Sequence, residues 1–383
     1  MPHSTRRRSG SRTPRSKPVF PLWFHKGSGQ WAKGIRGRRY YFGTDPDQAL
    51  TEYLRVKDDL EAGRTPRDVQ PDAVTLTTLC NRFLTDSKAK RDAGEITPRT
   101  FGDYYRTCEL ILDRLGKTTV VDQLRPDDLM GLRRWLSQRR SAVPLGNEIG
   151  RIRVVLNYAF QSGLVDRPVR YGNFKKPAKR VLRRQRAEAG PRIFEPEEIH
   201  RLLDHANTQM RAMILLAVNT GCGNMDLAKM QFRHLDLESG MMDYPRPKTG
   251  IERRAPLWPG TVTAVVAWLA KRKPPADPEN ENLVFLTKRR GPWSVDTSTR
   301  NPISAEFRKL KAKAGIERDG LTFYRLRHTT QTVADELGDY LATRRIMGHA
   351  DDSISGHYRE RFPDERLIRV SEHVRQWLHG GRE

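Results

Sequence analysis

Residues 321–333 read LTFYRLRHTTQTV, and residues 347–358 read MGHADDSISGHY. These two stretches decide how the chain is read. On a helix, Tyr324, Arg327 and His328 stand at i, i+3 and i+4 and share one face. Leu326 and Val333 then turn into a core while that polar face looks out. His349 follows His328 by twenty-one residues, with Gly348 before it, and Tyr358 follows His349 by nine. A guanidinium holds two phosphate oxygens at once. An imidazole moves protons near neutral pH, and a phenol is a nucleophile able to form a covalent intermediate. One segment therefore gathers the groups needed for a metal-free attack on a phosphodiester.

The rest of the composition agrees with a polyanionic substrate. The chain has 383 residues, with 70 Lys and Arg against 46 Asp and Glu, a net charge of +24. Such a balance points to nucleic acid. An anionic membrane is the rival partner, but no apolar run is long enough to span or anchor. The N-terminus carries charge without an apolar stretch behind it, so it does not read as a secretory signal. Cys80, Cys108 and Cys222 are odd in number and far apart, and no CxxC occurs. Neither a disulfide framework nor a zinc site is suggested. The expectation is a reduced, cytoplasmic, nucleoid-associated protein with no membrane association.

The order and spacing of Tyr324-Arg325-Leu326-Arg327-His328 and Met347-Gly348-His349…Tyr358 resemble the tyrosine recombinase (phage integrase) family. Its second box is His-x-x-Arg-His or a variant, and its third is Leu-Gly-His followed nine residues later by the nucleophilic Tyr. The resemblance implies Tyr358 as nucleophile and Arg327 as the second phosphate-clamping guanidinium. It implies His328 as the proton-handling imidazole, and His349 as the histidine that supports the scissile phosphate. Tyr324 stands where most members have His or Lys. Its phenol can donate to phosphate, but at an ordinary pKa of about 10 it is a poor base.

The first box of the family, Thr-Gly-x-Arg-x-x-Glu, falls on Thr220-Gly221-Cys222-Gly223-Asn224-Met225-Asp226. Gly223 occupies the Arg position, and Asp226 keeps the acid. Losing one of two guanidiniums that stabilise a developing phosphorane should cost on the order of several kcal/mol. Either another cation fills the gap, with Arg211, Lys229, Arg246, Arg253 and Arg254 as candidates, or the enzyme is impaired. Lys248, in Arg246-Pro-Lys-Thr-Gly-Ile-Glu-Arg253-Arg254, matches the hairpin lysine that the family uses to protonate the leaving 5′ oxygen.

The remaining chain reads as a mainly α protein with small β-sheets (α+β), in several domains. Residues 1–17 are a disordered basic tail. In 18–62, three short strands split by Gly27-Ser28-Gly29 and Arg36-Gly37 precede a helix opened by Asp45-Pro46. That helix carries a stripe of Ala49, Leu50, Tyr53, Leu54 and Leu60. This module resembles the arm-type DNA-binding domain of some integrases. Residues 63–73 read as a linker. Residues 74–173 are helical, with inward stripes that include Leu79, Phe83, Cys108, Ile111, Leu132, Ile152 and Phe160, and resemble the family's core-binding domain. Residues 174–192 are a basic linker whose like charges resist folding and suit a phosphate backbone.

The catalytic domain is expected over 193–380. It reads as an acidic-capped helix at 195–198, a strongly apolar helix to Asn219 and a strand pair within 235–258, with turns at Ser239-Gly240 and Thr249-Gly250. A helix over 260–272 turns Val262, Val265, Val266 and Leu269 inward. A buried strand follows at 283–287, then a basic helix at 303–314. Asp351 or Asp352 caps a helix bearing Tyr358, and a last helix from Asp364 to Leu378 presents Leu367, Ile368, Val370, Val374 and Leu378.

The resemblance implies two transesterifications that store bond energy in a phosphotyrosyl adduct, so neither cofactor nor metal is implied. It implies double-stranded DNA as partner, a homotetramer on paired sites and accessory DNA-bending proteins. Two other readings stay open: a DNA-binding relative that no longer cuts, and a type IB topoisomerase-like relaxer acting as a monomer.

Overall fold

The computed structural model of the chain describes residues 20–63, 66, 73–294, 301–350 and 362–380. They form two compact units that divide between Leu182 and Arg183.

The first unit opens with an antiparallel meander of β1 (Trp23–His25), β2 (Gln30–Ile35) and β3 (Arg38–Tyr41). Ile35 pairs with Arg38, leaving Arg36-Gly37 as a two-residue turn. Their φ values are 52° and 78°, the primed geometry that matches strand twist. Helix α1 (Pro46–Glu61) starts where Asp45 accepts the Gln48 N–H at 2.8 Å, and Pro46 sits where no amide is needed. Ala49, Tyr53, Val56 and Leu60 pack on Leu22 and Ile35. Leu54, expected in the inward stripe, is exposed, because Val56 takes the inward place one turn beyond Tyr53.

Four helices follow: α2 (Leu76–Asp92), α3 (Pro98–Leu115), α4 (Pro126–Ser137) and α5 (Ala142–Gln161). Leu79, Ile111, Leu132, Ile149 and Leu156 share one core. Cys80 and Cys108 are free and buried there. Phe160 is exposed rather than inward, since Ala159 holds the core position in that last turn. Buried Glu148 accepts from Thr107 at 2.7 Å and pairs with Arg151 at 2.8 Å and Arg140 at 2.7 Å. Such compensation is what a buried carboxylate requires.

The run 174–192 departs from the expected unfolded linker: Lys179–Glu188 form helix α6. Leu, Arg, Gln, Ala and Glu are good helix formers. Arg184 also reaches Glu188 at 3.5 Å across one turn, which offsets part of the like-charge repulsion. None of its residues is buried.

The second unit is built on α8 (Thr208–Thr220), buried without a break from Ala212 to Thr220. A helix apolar all round belongs at the centre of its domain. Around it lie α7 (Pro196–His205), α9 (Asn224–Ala228), α10 (Pro259–Leu269), α11 (Pro302–Lys313), α12 (Phe323–Glu336), α13 (Tyr340–Met347) and a last helix, α14 (Asp364–His379). Phe194, Phe307 and Phe323 meet edge to face inside. Asn219, near the end of α8, donates to Pro256 O at 2.9 Å and Ser371 Oγ at 3.0 Å and accepts the Trp258 N–H at 2.8 Å. One amide thus fixes α8, the sheet and α14 together.

Three expectations are corrected here. The 235–258 region is not a pair but three strands, β4 (Leu235–Asp236), β5 (Met241–Asp243) and β6 (Arg254–Pro256), in antiparallel order. Both expected turns are present, but the first joins β4 to β5 and so adds a strand. Residues 283–287 are buried without forming a strand; a single bridge joins Leu283 to Gln231. Side chains take the carbonyls that a ladder would use: Trp268 Nε1 donates to Val284 O at 2.9 Å and Gln209 Nε2 to Leu286 O at 2.6 Å. Val266 and Ile368 are each half exposed, because the neighbouring Val265 and Leu367 hold the inward positions.

Candidate active site

Of the second unit's helices that end in left-handed glycines, α8 and α13 face one guanidinium. Helix α8 stops at Gly221, φ +65°, and α13 stops at Gly348, φ +61°. Only glycine adopts this conformation freely. At Gly221 a Cβ would also overlap the Met347 sulfur. Arg327, on α12, donates from Nη1 to Gly221 O at 2.6 Å and from Nη2 to Met347 O at 2.6 Å. The C-terminal ends of helices carry unpaired carbonyls and partial negative charge, so a cation is stabilised there.

Arg327 is 4 % exposed. The polar face expected to look outward is therefore split: Arg327 turns inward, and only Tyr324 and His328 are exposed. Carbonyls at both helix ends draw the guanidinium in. Burial, and then the nearby Arg246, hold Arg327 below the ordinary arginine value.

Arg327 Nη2 also lies 2.9 Å from His349 Nε2. A guanidinium has no acceptor, so Nε2 accepts and the proton of this neutral imidazole is on Nδ1. Burial, and then Arg327 and Arg246, keep the His349 pKa down, which favours the neutral form. His328 is likewise lowered, first by burial and then by Arg325 and Arg327. Its ring meets the Tyr324 ring edge to face at 5.4 Å. Lys248 is exposed in the turn between β5 and β6. Arg327 and His349 are thus in contact, Tyr324 and His328 are in contact beside them, and Tyr358 lies outside the described residues, as do Asp351, Asp352 and His357.

The first box is rebuilt. Gly223 has φ −82°, an angle any residue adopts, so conformation does not demand glycine. Space is tight, however: a Cβ at 223 would lie 3.0 Å from Tyr324 Cε2 and 3.1 Å from its Cδ2, so the ring would have to give way. The two departures from the family pattern, Gly at 223 and Tyr at 324, are complementary shapes. Asp226 accepts the Gly223 N–H at 2.9 Å and Arg253 Nη1 at 3.0 Å through the same oxygen. Arg253, 1 % exposed, also donates from Nε to Tyr244 O at 3.1 Å and lies 4.9 Å over the Tyr244 ring. Its Nη2 is buried without a partner. His234 stacks on Tyr244 at 4.1 Å, and burial pushes its pKa down to about 4.

Of the cations named from sequence, Arg254 is held bidentate by Asp364 at 2.8 Å and also pairs with Asp243. Arg211 donates to Leu203 O at 3.1 Å. Arg246 is half-buried, and its Cβ and Cδ would lie 3.2 and 3.5 Å from a Cβ at Gly348. The buried assembly of Asp226, Arg253, Tyr244 and His234 was not legible in sequence; only Asp226 and Arg253 had been singled out. The signal available was that boxes one and two both depart from the pattern.

Residues 192–365 match the model of the phage integrase family. Tyrosine recombinase XerC of Salmonella typhi is 25 % identical over 292 residues, 74 % of this chain and 91 % of that protein. A lambda integrase tetramer bound to a Holliday junction shares the fold, with TM-score 0.53 and 16 % identity over 89 % of this chain and 98 % of that one. The Tn1549 transposon integrase in complex with a circular intermediate DNA gives TM-score 0.57 and 18 % identity, over 78 % of this chain and 99 % of that one. With the box order, the Arg327–His349 contact and the fold in agreement, residues 192–365 form a phage integrase family domain.

Proposed function

We propose that this chain is a site-specific recombinase that cuts and rejoins duplex DNA through a 3′-phosphotyrosyl link to Tyr358. The observation that carries the reading is the Arg327–His349 pair seated between two helix ends. Three contacts use part of the guanidinium, and the rest of its five N–H donors remain for a phosphate oxygen. The Nδ1–H of His349 is a further donor.

In the first step the Tyr358 oxygen bonds to phosphorus and the bond to the 5′ oxygen breaks. The phenolic proton passes to His328, a neutral imidazole at pH 7. The leaving 5′ oxygen takes a proton from Lys248. In the second step a 5′ hydroxyl of the partner strand attacks the adduct and releases Tyr358. The working assembly is a homotetramer on two DNA sites, as the lambda integrase tetramer on a Holliday junction is assembled. Accessory DNA-bending proteins would serve to bring distant sites together.

The test uses a duplex selected from a random library by the full-length chain, nicked next to the cleavage position so that the adduct is trapped. An SDS-resistant adduct mapped to Tyr358, and lost in Tyr358→Phe, is expected. Tight binding of the same duplex with no adduct would replace the reading with a DNA-binding relative, which Gly223 alone favours. Relaxation of arbitrary supercoiled plasmid by dilute monomer would replace it with a relaxing enzyme.

A further inference from the structure

The described site has one guanidinium at a family position, Arg327, and no side chain at the first-box position, Gly223. Of the five cations that could fill the gap, three are committed elsewhere. Arg254 is saturated by Asp364 and Asp243. Arg211 is tied to the end of α7 through Leu203 O. Arg253 is enclosed, and its charge is balanced by Asp226 at 3.0 Å. It fills the interior behind Gly223 and anchors the hairpin to the first box, but a charge already neutralised by a carboxylate offers little to a second anion. Lys229, at the C-terminal end of α9, has an interaction of its own.

Arg246 differs from these. Its backbone is pinned at the base of the β5–β6 turn, where its N–H donates to Ile251 O at 2.8 Å and its carbonyl accepts from Thr249 at 3.0 Å and Gly250 at 2.8 Å. Its side-chain stem lies against Gly348, the glycine of the third box, where an added Cβ would make a tight 3.2 Å contact with Arg246 Cβ. It is the leading charged neighbour depressing Arg327 and stands second only to Arg327 in depressing His349. Among the described residues its guanidinium meets no carboxylate. Asp226 is the carboxylate that acts on Arg327, and it is already paired with Arg253; the excess of positive charge that Arg246 and Arg327 leave favours an anion.

We infer that Arg246, delivered from the hairpin across Gly348, is the second guanidinium of the phosphate clamp and replaces the side chain missing at Gly223. This rests on the recombinase reading above. Arg246 is then a catalytic residue that touches a non-bridging phosphate oxygen, while Arg253 is a positioning residue. Gly348 is needed to let the arginine pass, in addition to ending α13. The clamp keeps two cations, but one of them arrives on the strand hairpin that also carries Lys248.

The experiment compares wild type, Arg246→Ala and Arg246→Lys on the selected nicked duplex. Arg246→Ala should slow adduct formation by about 10²–10³, the loss seen for one transition-state donor, with duplex binding reduced far less. A methylphosphonate at the scissile position carries one negative charge fewer, so it should narrow the gap between Arg246→Ala and wild type. Cleavage by Arg246→Ala at the wild-type rate, or a loss that methylphosphonate leaves unchanged, overturns the assignment. A second readout needs no cleavage: inorganic phosphate is titrated against the His349 imidazole NMR signal. Half-saturation rising by about tenfold or more in Arg246→Ala, a change of at least 1.4 kcal/mol, upholds the clamp role, and an unchanged titration overturns it. If wild type forms no adduct while this titration responds to the variant, the recombinase reading fails and the anion site stands.

Discussion

The two sides of the active site are built on different principles. On the α12–α13 side, Arg327 and His349 keep the family positions, and the guanidinium is held by two helix-end carbonyls and one imidazole. On the other side, the first-box position holds no side chain. Tyr324 fills the space above Gly223, and Arg253 from the strand hairpin fills the space behind Asp226. The first side holds its cation through backbone termini; the second holds Arg253 through a carboxylate that neutralises it. The lesson is that the volume left at one position can be filled by residues from other segments.

Breaking the first side should have the largest effect. Arg327→Met removes the donor of two buried carbonyls and of the part-buried His349 ring, at about 1–3 kcal/mol for each buried group left unpaired. Urea denaturation should show a loss of several kcal/mol, on that basis, and no adduct should form. A stable Arg327→Met protein would mean that the helix ends do not depend on this cation.

Next comes the ion pair behind Gly223. Asp226→Ala strands Arg253 as a buried charge and should cost about 3–5 kcal/mol. Adding Arg253→Met removes both partners and should recover most of that loss, since an apolar pair of similar volume is often no worse than a buried salt bridge. A double variant no more stable than Asp226→Ala would show that Arg253 acts through something other than its charge.

The complementarity of Gly223 and Tyr324 predicts a smaller effect. Gly223→Arg must push the Tyr324 ring aside and should destabilise by about 1–3 kcal/mol, as overpacking does. Tyr324→Ala in the same chain should relieve it, with a coupling energy above about 0.5 kcal/mol in a double-mutant cycle. Additive effects would sever the link between the two departures.

The smallest effect is a pH dependence. The folded pKa of His234 is about 4, below the ordinary histidine value of about 6.5. The fold therefore favours the neutral ring, whose Nδ1 accepts the Gln231 N–H at 3.1 Å. This contribution is full above the unfolded value and is lost as pH falls toward the folded one. The urea midpoint should decline from about pH 6.5 toward pH 4, and His234→Gln should flatten that decline.

Much of the fold was legible because local rules decide it. Asp45-Pro46 starts a helix by capping, Arg36-Gly37 turns a hairpin by its φ values, and the apolar run before Asn219 marks the buried centre of its domain. The failures share a cause. A charge run at 179–188 folds because its residues are good helix formers and one i,i+4 pair offsets part of the repulsion, and the apolar run at 283–287 avoids a sheet because Trp268 and Gln209 take its carbonyls. Each outcome depends on partners that periodicity does not name.

The sequence by itself determined the order of the boxes, the residue types at Arg327, His328, His349 and Tyr358, and the absence of an arginine at 223. These are properties of spacing along the chain, and spacing survives without coordinates. Only the tertiary structure decided that Arg327 is buried between two helix ends, that the Tyr324 ring stands against Gly223, and that Arg253 is buried on Asp226 while Arg246 lies along Gly348. Volume and charge compensation act through space, between segments far apart in sequence, and so become visible only when the chain is folded.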